Sequence, residues 1–207
     1  MWGLVQSGSI TKFINNPKAL VIGDVQYPAK IFSLWSKSEL EAIGIYEVEF
    51  NNSNKRDENF YINTNQSFNF ADGKVTASYG TATAKLLEDR NEVNEAGEPL
   101  LDDKGNQIVT KGLKSQKKAI IKSQASGLLA PTDWYVIKAT DVESYSVPSA
   151  VTTFRSDVRT KSNEMETAID NASDVDALAT LYAYVNTGTE ENRVMERPLG
   201  EFPTLEV

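Results

Sequence analysis

Between Ser149 and Ala172 the apolar residues Val151, Phe154, Val158, Met165, Ala168 and Ala172 recur at steps of three, four and seven. That spacing lays a single stripe along one face of a helix, because a turn takes 3.6 residues. A stripe this long cannot be left in water, so the segment must pack. Val147-Pro148 marks its start, since the residue before a proline disfavours the α region. Ser173-Asp174-Val175-Asp176 marks its end and caps a further helix with Val175, Leu178, Tyr182 and Val185 on one stripe. Two amphipathic helices joined by so short a turn should fold back as an antiparallel hairpin.

Upstream, Leu113, Ile120, Ile121, Leu128 and Leu129 line one side of another helix, and Lys114, Lys117, Lys118 and Lys122 the other. Pro131 ends it, and Thr132 is placed to cap a helix that opens on Asp133-Trp134. The lysine row reads as a solvated face, or as a surface that docks on the acidic residues of the later helices, in cis or in a neighbouring subunit. Trp134, Val151, Phe154, Val158, Met165, Leu178, Leu181, Tyr182 and Val185 are expected to be largely buried, within the module or against a neighbour. Residues 113–186 thus read as a helical module. Residues 187–207, with Pro198 and Pro203, read as an extended tail that orders against a partner.

The first 87 residues are punctuated differently. Ser7-Gly8, Gly23-Asp24 and Ala71-Asp72-Gly73 each separate short runs of strand character, which is a hairpin signal. Pro28 ends the second hairpin and opens a short helical stretch to Trp35. Ser36-Lys37-Ser38-Glu39 is a capping box, and Gly44 is a left-handed helix stop before a strand from Ile45 to Phe50. Residues 88–112 are rich in Glu, Asp, Asn, Gly and Pro and read as a polar linker or surface hairpin. The fold class is therefore α+β: a β-rich docking module over 1–87, then a helical-hairpin module.

Composition narrows the chemistry. The chain of 207 residues contains no histidine and no cysteine. Ser-His-Asp and Cys-His nucleophilic catalysis and histidine-based metal sites are thereby excluded. Carboxylate chemistry remains, but Glu164 and Glu166 lie two apart on a helix and point to different faces. Asp170, Asp174 and Asp176 flank a helix boundary, where acids favour the N-terminal dipole. Asp102-Asp103-Lys104-Gly105-Asn106 lacks the ligand alternation and closing glutamate of a calcium loop. No enzyme activity, cofactor or metal is expected. A net charge of −8 argues against nucleic-acid or membrane partners. No spanning helix and no secretory signal is expected, and absence of cysteine fits folding in a reducing cytosol. Large aromatics are frequent anchors of interfaces, so Trp2, Tyr27, Phe32, Trp35, Trp134 and Phe154 are the interface candidates.

Several short motifs carry a resemblance. Trp2 with Leu4-Val5, Asn16 to Leu20 (Asn-Pro-Lys-Ala-Leu), Gln26 to Trp35 (Gln-Tyr-Pro-Ala-Lys-Ile-Phe-Ser-Leu-Trp) and Leu40 to Tyr46 look like small tail-region proteins of tailed bacteriophages. Lys111 to Lys114, Thr132-Asp133-Trp134, Val147-Pro148 and Phe154-Arg155-x-x-Val158-Arg159 are similar to phage tail assembly chaperones and tail-fibre-associated proteins. The two blocks span about 14–50 and 111–172. The resemblance implies a virion component of the baseplate or fibre attachment, or a tail-fibre assembly chaperone absent from the finished particle. It also implies other tail or fibre proteins as partners, a homo-oligomer within the particle, synthesis in the host cytoplasm, and no catalytic site.

Overall fold

The computed structural model describes residues 1–205, and the last two positions of the stretch read as a tail lie outside the described residues. The protein is α+β and divides into two compact units, the first Met1–Thr83 and the second from Ala84 onward.

The first unit contains β1 (Trp2–Gln6), β2 (Ser9–Ile14), β3 (Leu20–Ile22), β4 (Val25–Tyr27), α1 (Ile31–Leu34) and α2 (Lys37–Ala42). β5 (Ile45–Asn51), β6 (Tyr61–Ile62), β7 (Ser67–Ala71) and β8 (Lys74–Ser78) follow, and β9 (Thr83–Ala84) stands at the division. Two of its hairpins turn on the same device. Ser7-Gly8 and Asp72-Gly73 both hold two successive residues at positive φ, the primed turn whose twist matches paired strands. α2 begins with the capping box: Ser36 Oγ accepts from Glu39 N–H, and Glu39 Oε2 accepts from Ser36 N–H at 2.7 Å. Gly44 ends that segment at φ +83°, and its carbonyl accepts from Val5 N–H at 2.8 Å, which sets β5 beside β1.

One sheet runs in the order β2-β1-β5-β8-β7, with β5 and β8 parallel and the other neighbours antiparallel. Both of its faces carry a core. Leu4, Ile14, Leu20, Ile31, Leu40 and Ile45 cluster on one, and Val48, Val75 and Ala77 on the other. A bulge makes this division possible. Ile10 and Ile14 are four apart and would share a face in a regular strand. The register instead skips Thr11, pairing Leu4 with Lys12 and Val5 with Ile10. That extra residue inverts the parity of β2, so Ile10 joins the second core while Ile14 joins the first.

The second unit opens with an element of three arms. β10 (Arg90–Asn91) pairs with β11 (Val109–Thr110), and single bridges join Val93 to Pro99 and Leu101 to Gln107. The chain bends at Glu92, Leu100 and Ile108, eight residues apart, and their backbones close a ring. Glu92 N–H donates to Ile108 O, Ile108 N–H to Leu100 O, and Leu100 N–H to Glu92 O, at 2.8–2.9 Å. Gln107 Nε2 sits against all three of those carbonyls, at 2.7, 3.1 and 2.9 Å. The two free arms are the same turn repeated. Asn94 Oδ1 accepts from Ala96 and Glu98 N–H, and Asp102 Oδ1 from Lys104 and Asn106 N–H. Gly97 and Gly105 both lie at φ +82°.

α3 (Leu113–Leu129) leaves this element and is followed by a 3₁₀ turn (Ala130–Thr132), α4 (Asp133–Asp141), α5 (Ser149–Asp170) and α6 (Val175–Tyr182). β12 (Val185–Asn186) and β13 (Met195–Glu196) then form a short hairpin. α5 is one unbroken helix that buries Val151, Phe154, Val158, Ser162, Met165 and Ile169. Ala172 is buried just beyond its end, whereas Ala168 is half-buried; Ile169 and Ser162 take the places between. Its antiparallel partner is α3, because Lys118 meets Asp170 and Lys122 meets Glu166 at one end while Leu129 meets Arg155 at the other.

This unit departs from the sequence reading at several places, and Trp134 and Val185 are not buried within it. Ile120 and Trp134 are each 49% exposed, since α3 turns only Leu113, Ile121 and Ala125 fully inward and α4 buries no residue at all. The last helix stops at Tyr182, so Val185 lies in a strand at the surface, and Leu181 and Tyr182 are half-buried. Thr132 does not cap α4: its hydroxyl donates to Leu129 O at 2.7 Å. The stretch read as an extended tail folds back on its own chain. Leu199 is buried and donates its N–H to Leu181 O, and Phe202 and Leu205 pack on the Ala125–Phe154–Val158 core.

Candidate functional site

Four of the interface candidates meet in the first unit. β1 carries Trp2, β4 carries Tyr27, and the α1 segment carries Phe32 and Trp35, all half-buried over the Leu4–Ile45 core. Trp2 and Phe32 have ring centroids 4.8 Å apart, and Tyr27 meets Trp35 edge-on at 5.8 Å. Trp2, Phe32 and Trp35, with Leu40 and Ile45 beneath, line a cleft of about 260 Å³. Lys37 and Glu47 stand at its rim. Lys37 is engaged by Glu41 and Glu49 at 3.8 and 3.7 Å, whereas Glu47 has no ion-pair partner among the described residues. A small-molecule pocket usually exceeds about 300 Å³. This cleft suits a single large side chain.

The other two candidates, in the second unit, differ. Phe154 is 6% exposed and packs with Ala125, Val158, Leu128 and Leu129, so it belongs to that unit's interior and presents no interface. Trp134 is at the surface on α4, its ring 3.8 Å from that of Tyr135 and under the ammonium of Lys138 at 5.9 Å. Ile137, one turn on and on the same face, is 61% exposed, whereas Val136 lies on another side of the helix, toward Thr152 and Arg155 of α5.

One residue outside the candidate set organises this end of the unit. Arg155, on α5, reaches the last turn of α3 and donates to Leu129 O at 2.9 Å and to the Thr132 hydroxyl. Its other nitrogen pairs with Asp133 at 2.8 Å, at the start of α4. A single guanidinium thus satisfies a helix end, a buried hydroxyl and a carboxylate, which fixes the corner from which Trp134 projects. In sequence Arg155 is one charge on a helix, and nothing local shows that it points inward.

The lysine row docks in cis. Lys118 Nζ meets Asp170 at 2.6 Å, Lys122 meets Glu166 at 3.3 Å, and Lys114 pairs with Glu88 and donates to the Asp170 carbonyl. The Asp170 hydrogen bond raises the Lys118 ammonium above its usual range. At the N-terminal end of α3, Asp89 accepts from Lys111 Nζ at 2.8 Å and Gly112 N–H at 2.9 Å. Those bonds, Lys111 first, hold its carboxyl at about 2. The clasp closes the stem of the three-armed element, and the first helical N–H groups, those of Leu113 and Lys114, donate to the Leu86 and Leu87 carbonyls beside it at 2.8 and 3.1 Å.

Among the described residues, no group of three or more Asp and Glu side chains is placed to hold a metal ion, and no helix is long and apolar enough to cross a membrane. The chain is thus an α+β protein of two units, with an aromatic cleft in the first and an exposed tryptophan on α4 in the second. Comparison with family models, with curated proteins and with solved structures gives no match.

Proposed function

We propose that this chain is a structural component of a bacteriophage tail, at the baseplate or fibre attachment, and that it works by protein–protein contact. The observation that carries the contact mode is the Trp2–Phe32–Trp35 cleft, a concave aromatic site sized for one side chain and flanked by charge. Aromatic residues around a desolvated pocket supply most of the binding energy at many interfaces. The sequence motifs over 14–50 and 111–172 supply the phage-tail assignment. The candidate acids serve structure: Asp170 and Glu166 tie α5 to α3, and Asp174 caps α6. The partners are other tail or fibre proteins and further copies of this chain.

The test is the protein content of purified particles by quantitative mass spectrometry. Peptides of this chain in fixed ratio to the other tail proteins are expected. Abundance in the infected cell without peptides in the particle would overturn the reading and favour an assembly chaperone.

A further inference from the structure

The cleft read above as a docking site has a matching element on the same chain. Trp134 is the one tryptophan of three that stands at the surface, on a helix that contributes nothing to its own unit's core. A nine-residue helix is marginal in water unless something packs on it, and here Ile137, three residues on and on the same face as the indole, is 61% exposed. The charges match as well. Lys138 lies one turn beyond Trp134 and sits over the Trp134 and Tyr145 rings, with no carboxylate partner among the described residues. Glu47 stands at the cleft rim, also without an ion-pair partner among the described residues.

We propose that the Trp2–Phe32–Trp35 cleft of one copy receives Trp134 of a second copy, with Lys138 of the second meeting Glu47 of the first. Such a contact joins two different patches, so it is heterologous and propagates into a ring or a filament. The indole fills a cleft too small for a cofactor, and the ammonium approaches a carboxylate that is otherwise solvated. The proposal rests on the docking role of the cleft and names its occupant. Membership of the particle is decided separately by particle composition and can hold without self-association.

Sedimentation velocity over a range of concentrations tests it on the full chain, on Glu47→Lys, on Lys138→Glu and on an equimolar mixture of the two variants. The wild type is expected to associate with rising concentration. Each variant alone sets like charges against each other and should associate about tenfold or more weakly. In the mixture the altered cleft of the first variant meets the altered helix of the second with opposite charges. The unaltered helix and cleft form the wild-type pair, so association should return. Recovery on mixing also shows that neither variant had misfolded. A wild type that stays monomeric, a Glu47→Lys protein that associates normally, or a mixture that fails to recover would each overturn the proposal.

Discussion

Phe13 and Phe68 stand on opposite edge strands of one five-stranded sheet, yet their ring centroids are 4.4 Å apart. In a flat sheet, four strand spacings would separate those edges by about 19 Å. The sheet is therefore strongly curled toward the face that carries both rings, and the Thr11 bulge in β2 supplies the local bend. Gly3 lies on that face, where an added Cβ would sit 3.3 Å from a Val75 methyl.

A double-mutant cycle reads this closure. Phe13→Ala and Phe68→Ala should each lower stability, and their coupling in chemical denaturation should be about 0.5–1.5 kcal/mol. Additive losses would mean that the two rings touch without holding the sheet shut.

Arg155→Ala should destabilise the second unit by about 1–3 kcal/mol, because the buried Thr132 hydroxyl loses its donor and Asp133 its cation, while Leu129 O keeps only the Thr132 bond. Arg155→Lys should recover only part of that loss, since an ammonium cannot span three acceptors as a planar fork does. Equal stability of the lysine variant and the wild type would show that charge alone suffices.

The Asp89 clasp sets a pH dependence. Its carboxyl is held at about 2, below the ordinary 3.8, so the unfolded chain takes up that proton more readily than the folded one. The stabilisation is complete above about pH 4 and is lost as pH falls through about 2. In Asp89→Asn the stability curve between pH 4 and 2 should be shallower than in the wild type. Identical slopes in thermal unfolding would contradict the clasp.

Gly44→Ala should cost more than Gly8→Ala. Both residues have positive φ, but a Cβ at Gly44 would lie 2.6 Å from the Val5 carbonyl, while at Gly8 it meets nothing within 4 Å. The Gly8 change should carry only the left-handed penalty of about 1–2 kcal/mol. Comparable melting temperatures for the two variants would remove the steric part of the argument.

What could be read in the sequence was local or periodic. The primed turn at Asp72-Gly73, the Ser36–Glu39 box and the α5 stripe each follow from residues adjacent in sequence or spaced at one helical period. Non-local geometry decided the rest. Phe154 stood both in the expected buried set and among the interface candidates, because the partners that enclose it, α3 and the returning Phe202, are remote in sequence. Trp134 looked like a core anchor because the α4 segment alone does not show which face lacks a partner. The three-armed element had a readable signal, the eight-residue repeat that aligns Asn94 with Asp102 and Gly97 with Gly105. Each turn is complete within its own few residues, and the ring at Glu92, Leu100 and Ile108 appears only when the arms close. The cleft was half legible: Trp2, Phe32 and Trp35 stood out by type, whereas Glu47 at its rim was one more exposed strand acid.

Competitive incorporation tests the central claim, that the chain enters phage tails by docking through this cleft. Wild type and Glu47→Lys are produced together in infected cells, and the ratio of their distinguishing peptides is measured in lysate and in purified particles. Position 47 is exposed, so the substitution leaves the core untouched. The variant should be depleted in particles about tenfold relative to lysate, which corresponds to about 1.4 kcal/mol of lost docking energy. Equal ratios in lysate and particles would contradict it.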